Sequence, residues 1–290
     1  MTTHDTQQYQ PQPASRILAA TLPIWLAVLT VLATIGLTYS GWQQVRNRVV
    51  LAEEYRFSHS SVQVTQLPPW VPERIVNDVI SEFNIGRTQR NAMIDHELLE
   101  ELAAAFRAYP WVESVDHVQA SYPATVTLDL TYRRPVCMVL LPNETGGYAV
   151  DRHGVHLPSD YFKSRNVNAS QYIQIIGVES MPAGNIGEKW GDIVVEKAAA
   201  LAAHLAPDNS ILRIASIEVE QVGPNRRAMR QIFHLTTSTS PKTKIIWGEM
   251  PLAENDSRKK RLRELVLEYK PLDKAPRNEN GIIDLRPAVQ

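Results

Sequence analysis

From Ile17 to Tyr39 the chain reads ILAATLPIWLAVLTVLATIGLTY, without one charged residue. A hydrocarbon core about 30 Å thick takes about 20 apolar residues in helical form, so this run is long enough to span it. A cleavable signal peptide would have a shorter apolar region ending in a small-x-small cleavage site, so residues 17–39 read as a retained transmembrane helix. Pro23 falls in its first turns, where a missing N–H matters least. Residues 1–16 are polar, with several Gln and Pro, and predict an unstructured tail. Residues 40–56 read as a linker. Arg16 precedes the span, whereas Arg46, Arg48 and Arg56 follow it. Counted alone, these charges would hold the C-terminal bulk in the cytoplasm, but long domains translocate largely regardless of local charge.

Composition narrows the function classes. Lys+Arg total 30 and Asp+Glu total 31, so the chain lacks the basic excess that phosphate neutralisation requires, and nucleic acid is not an expected partner. The one cysteine, Cys137, excludes an internal disulfide framework and a Cys-rich zinc site.

Behind the linker the periodicity changes. SSVQVTQL alternates as a strand. PERIVNDVISEF carries Ile75, Val79 and Ile80 at helical spacing, with Pro72 in the first turn. IDHELLEELAAAFRAY places Ile94, Leu98, Leu102, Phe106 and Tyr109 on one stripe, with Asp95 as its cap and Pro110 as its stop. WVESVDHV and ATVTLDLTY follow as strands, the second with Val126, Leu128 and Leu130 on one face. The order β-α-α-β-β over residues 57–134 predicts a small α+β module whose two helices cover one face of a short sheet. After Arg134-Pro135 a second region, 135–290, is expected to be a mostly antiparallel β-domain. Its strands are VCMVLL, GGYAV, QIIGV, IASIEVE, QIFHLTT, TKIIWG and a closing GIIDLRP. Two helices interrupt them, GDIVVEKAAALAAHL and SRKKRLRELVLEYK.

Arrangement and wording together resemble the FtsQ/DivIB family of bacterial cell-division proteins, which have a short cytoplasmic tail, one span, a POTRA domain and a β-domain. The matching stretches are PWVESVDHVQASYPATVTLDLTYRRPV at 110–136, YAVDRHGVHLP at 148–158, IIWGE from Ile245, RLRELVLEY at 261–269 and IIDLRP at 282–287. They run in the family's order from Pro110 to Pro287, behind the single span. QLPPW at 66–70 departs from the Gly-containing turn expected after the first strand, and Pro-Ala-Val-Gln after Arg286 lacks the trailing aromatics of some members. The resemblance implies a scaffold in the inner membrane at the division site, with a cytoplasmic N-terminus and an extracytoplasmic bulk. Its implied partners are other single-span division proteins (FtsB/FtsL-like). The implied mechanism is β-augmentation, a partner strand pairing with the last strands. Ile282, Ile283, Asp284, Leu285 and Arg286 would form the receiving strand. Alternation sets Ile283 and Leu285 on one face, and Arg286, with Arg227 on a neighbouring turn, meets an acidic side chain.

Nothing in the residues assembles a catalytic centre, and no cofactor or small-molecule substrate is expected. DRHGVHLP brings Asp151, His153 and His156 together, but His153 and His156 face opposite ways along a strand, and a turn built on Gly154 explains them without a metal. DHELLE lacks the i, i+4 histidine pair of a zinc-protease helix, and no P-loop, dinucleotide fingerprint or Gly-x-Ser-x-Gly occurs. Arg258, Lys259, Lys260 and Arg261 read as a solvated helix face, with a partner or anionic-lipid contact as the lesser alternative. Arg133 and Arg134 could bind a carboxylate, but a strand end at the domain junction accounts for them. Cys137 reads as a small buried hydrophobe. The competing function class is an envelope-assembly or secretion adaptor using a POTRA-like module.

Overall fold

The computed structural model describes residues 14–51, 57–85, 95–142, 146–158, 171–223, 230–250, 257–270 and 272–286. Helix α1, Ala14–Leu51, contains one segment, Trp25–Val45, long and apolar enough to cross a membrane. Three threonines lie along it, and each satisfies its hydroxyl within the helix. Thr30 Oγ1 donates to the Ala27 carbonyl at 2.8 Å, Thr34 Oγ1 to Val31 at 2.8 Å and Thr38 Oγ1 to Thr34 at 2.8 Å. Such back-bonding lets hydroxyl side chains sit in an apolar span. Helix continues through QQVRNRVVL to Leu51, into the stretch expected as linker. Adding a turn to a nucleated helix costs far less than starting one, and neither Pro nor Gly interrupts here.

The first sheet has three strands, β1 Val62–Val64, β2 Val112–Ser121 and β3 Thr125–Tyr132, in the order β1-β3-β2. β2 and β3 form an antiparallel hairpin, while β1 pairs with β3 in parallel. The parallel pair follows from the crossover through α2 (Ile75–Glu82) and α3 (His96–Ala108). Pro72 lies before α2 rather than in its first turn, its carbonyl accepting from Ile75 N at 3.2 Å. Asp95 caps α3 by accepting from Leu98 N at 3.0 Å. The helix stops because Pro110 forces Tyr109 into the extended region, φ −73° and ψ 130°. Leu98, Leu102 and Phe106 pack beneath Val126 and Leu128, all fully buried. Ile94 of the expected stripe lies outside the described residues.

The second sheet has seven strands: β4 Pro135–Val139, β5 Tyr148–Asp151, β6 Ile173–Ile176, β7 Ile214–Val222, β8 Arg230–Thr237, β9 Lys244–Gly248 and β10 Ile283–Asp284. Their order is β10-β9-β8-β7-β6-β4-β5. The expectation of a mostly antiparallel sheet holds in part, because the sheet is mixed. β4 with β6, β6 with β7, and β9 with β10 are parallel, while the remaining three pairings are antiparallel. Two of the parallel pairs are joined through helices: α4 (Ile193–Leu205) and the short α5 (Asn209–Leu212) between β6 and β7, and α6 (Arg258–Glu268) between β9 and β10. A helix between two neighbouring strands returns the chain to the starting end, which makes the strands parallel.

VCMVLL does not alternate, and its burial explains why. Cys137, Val139 and Val150 face the core under α4, whereas Met138 and Ala149 join the core of the first module with Val155 and Leu157. The β4–β5 end of the sheet is therefore covered on both faces, and a strand buried twice reads as a continuous apolar run. Burial in this position raises the Cys137 thiol pKa.

Candidate partner-binding edge

β10 lies at one margin of the seven-stranded sheet and pairs in parallel with β9 on its inner side. Ile283 and Leu285 point into the core, 2% and 1% exposed, while Ile282 and Asp284 are half-buried and Arg286 is exposed. The regular strand is Ile283–Asp284, shorter than the 282–286 expected.

The backbone of this edge can be followed residue by residue. Leu285 N donates to the Ile246 carbonyl at 3.0 Å, so alternation turns the peptide groups of Ile283 and Leu285 towards β9 and those of Ile282, Asp284 and Arg286 outward. Asn278 occupies Ile282, its Oδ1 accepting from Ile282 N at 2.9 Å and its own N–H donating to the Ile282 carbonyl at 2.9 Å. Arg286 N donates to Asp284 Oδ1 at 2.9 Å. That leaves the N–H and C=O of Asp284 facing outward, and the next residue, Pro287, has no N–H to extend a ladder.

Around this short edge stand three arginines. Arg286 donates from Nε to Asp284 Oδ1 at 3.0 Å and from NH2 to Oδ2 at 2.6 Å. The Arg286 hydrogen bond is the main reason the Asp284 carboxyl titrates below its usual range. Partial burial opposes this, while the Arg286 N–H and the charges of Arg286 and Arg261 reinforce it. Arg258 lies with its guanidinium 4.9 Å from the centre of the buried Trp247 ring, and its NH1 donates to the carbonyls of Trp247 at 2.8 Å and Glu249 at 3.2 Å. Gly248 between them has φ +99°, and a Cβ there would lie 3.0 Å from Arg286 Cγ. Its missing side chain is the space in which the Arg286 stem rests.

The basic run on α6 is thus divided, contrary to the expectation of one solvated face. Arg258 and Lys259 are half-buried and engaged, Lys259 Nζ pairing with Asp208 Oδ2 at 2.7 Å and donating to the His204 carbonyl at 2.8 Å. Lys260 and Arg261 are exposed, and Arg261 forms no ion pair among the described residues. The helical i, i+3 spacing of Arg258 and Arg261 was the sequence signal that could have joined them to Arg286. Arg227, expected beside Arg286, lies outside the described residues.

The other candidates fall at the module junction. Asp151 is 1% exposed and accepts from Arg133 NH1 at 2.8 Å and from the backbone N–H groups of His153 and Val155 at 2.8 and 2.9 Å. The turn uses Gly154 at φ +76°. His153 and His156 separate. His153 Nε2 lies 3.2 Å from Glu113 Oε1, whereas His156 packs among aromatic rings, 5.3 Å from Tyr148 and 6.0 Å from Trp190. Among the described residues no three His, Cys, Asp or Glu side chains converge as metal ligands.

No protein-family model matches this chain, and no curated protein matches it.

Proposed function

We propose that this chain is a membrane-anchored, non-enzymatic scaffold of the bacterial division machinery, of the FtsQ/DivIB kind, with the POTRA-like module as its first folded unit. Its N-terminus stays in the cytoplasm, and its sheets recruit other single-span division proteins outside the cytoplasmic membrane. One observation carries the reading: a sheet margin with an outward Asp284 peptide is ringed by Arg258, Arg261 and Arg286. The mechanism differs in weight from simple strand addition. One outward residue offers a partner about two backbone hydrogen bonds, each contributing about 0.5–1.5 kcal/mol, whereas a bond to a charged group contributes about 1.5–3 kcal/mol. The arginines therefore supply more of the affinity than the ladder. Arg286 spends Nε and NH2 on Asp284 and keeps NH1 for a partner carboxylate, and Arg261 is available as a second cation.

The test is site-specific photocrosslinking from position 261 of the full chain in dividing cells, with a phosphatase reporter after Gln290 to establish export. Crosslinks to single-span membrane proteins at the division site are expected. A cytoplasmic reporter signal, or crosslinks confined to soluble proteins, would overturn the reading. One feature favours the second reading, an envelope-assembly adaptor: β2 has ten residues and is also a sheet margin, able to receive an extended client segment. Under that reading, crosslinks would concentrate at His117 rather than at Arg261.

A further inference from the structure

Where the two sheets meet, a cavity of about 340 Å³ opens between the β2–β3 hairpin and the end of α4. Its apolar side is Val136, Ala203, Ala206 and Pro207, and its charged rim is Glu113, Arg134, Asp151 and Arg152. A second cavity of about 160 Å³ shares Arg134, Val136 and Ala206 and continues towards Gln171 and Asn209. The two make one groove with Arg134 at its middle.

The charges on this rim are not equivalent. Asp151 is consumed by Arg133 at 2.8 Å. Glu113 is consumed by Arg152 at 2.5 Å, with His153 at 3.2 Å. Arg134 pairs with no carboxylate among the described residues, so among them it is the junction cation without a charge partner. It is also held in place. Its guanidinium carbon lies 5.5 Å from the centre of the Trp70 ring, and Trp70 is anchored by Nε1 donating to the Arg133 carbonyl at 2.9 Å. A guanidinium stacked on an indole keeps its N–H groups in the plane of the fork, the geometry that receives a carboxylate on two bonds.

We infer that this groove binds an extended acidic peptide, with Arg134 taking a Glu or Asp side chain and the alanine-floored trough taking its apolar neighbours. Charge complementarity selects the carboxylate. The apolar floor selects a peptide over a small free anion, which would leave that surface wet. Trp70 acts as the positioning residue.

The site is separate from the β10 margin and does not rest on the division reading. The probe is a pair of N-acetylated hexapeptide pools of Val, Leu, Ala and Ser, one with a fixed Glu and the other with Gln in its place, retained on the full chain in lipid nanodiscs. Wild type should retain the Glu pool about tenfold better than the Gln pool, a difference of about 1.4 kcal/mol. Arg134→Gln should abolish that preference, and Arg134→Lys, which keeps the charge without the fork, should keep only part of it. Lys260→Gln, which removes an exposed cation on α6, should leave it intact. Equal retention of both pools by wild type, an unchanged preference in both Arg134 variants, or displacement of the Glu pool by inorganic phosphate as readily as by unlabelled peptide would each overturn the inference.

Discussion

The last residue of β5 and the last residue of β10 are both aspartates paired to arginine, at opposite margins of one sheet. Asp151 has a side chain 1% exposed, held by Arg133 and two backbone N–H groups beneath the first module. Asp284 has a side chain 28% exposed, and its arginine partner is half in solvent. One pair of residue types therefore serves two ends. Where both faces of the strand are covered, removing either charge leaves the other stranded away from water. Where the edge faces solvent, water can replace the partner and the pair can open to a competitor.

Mutation of the two aspartates should give very different results. Asp151→Asn is expected to destabilise the protein by about 3–5 kcal/mol because Arg133 keeps its charge in a covered site, whereas Asp284→Asn should cost about 0–1 kcal/mol. Chemical unfolding of the full chain in detergent micelles measures both. Comparable costs would erase the distinction between the margins.

Gly248→Val comes next in size. The backbone there has φ +99°, and the new side chain meets Arg286 Cγ, so a loss of about 1–3 kcal/mol is expected together with displacement of Arg286. Arg286→Glu tests the open margin directly. Affinity for the proposed partner should fall about tenfold or more, with an unfolding midpoint near that of wild type. A truncation after Gly281 that folds and binds normally would remove β10 from the mechanism.

Acid should separate the margins in order. Burial lowers the His156 pKa, so protonation favours the unfolded chain. The stability tied to His156 is present above the unfolded value of about 6.5 and is lost as pH falls below it towards the folded value. The Asp284 carboxyl is also lowered, but its contribution persists above about 3.9 and is lost only as pH falls through its folded value. Thermal melts of wild type should therefore weaken first just below about pH 6.5. His156→Phe, which keeps a ring against Tyr148 and Trp190, should flatten that first slope, and an unchanged slope would place its source elsewhere.

Several features are legible along the chain because their cause is local. Ile17–Tyr39 announces a membrane-length helix through length and lack of charge. Asp95 and Pro110 bracket α3 because a cap and a proline act within one turn. Alternation in ATVTLDLTY places Val126, Leu128 and Leu130 inwards, and IIDLRP does the same for Ile283 and Leu285. Strand direction was not legible in this way. Antiparallel pairing was the default for short strands separated by turns, yet α4 and α6 act as crossovers and make two of the six pairings parallel. Side-chain partnership was hidden for a similar reason. Arg133 meets Asp151 across eighteen positions, Trp70 reaches the Arg133 carbonyl across sixty-three, and Arg258 comes beside Arg286 only because β10 returns next to β9. Periodicity, capping and hydrophobic length depend on neighbours in sequence, so the chain alone determines them. Pairing order, charge compensation and the groove at Arg134 depend on which distant segments are brought together, and only the tertiary structure decides that.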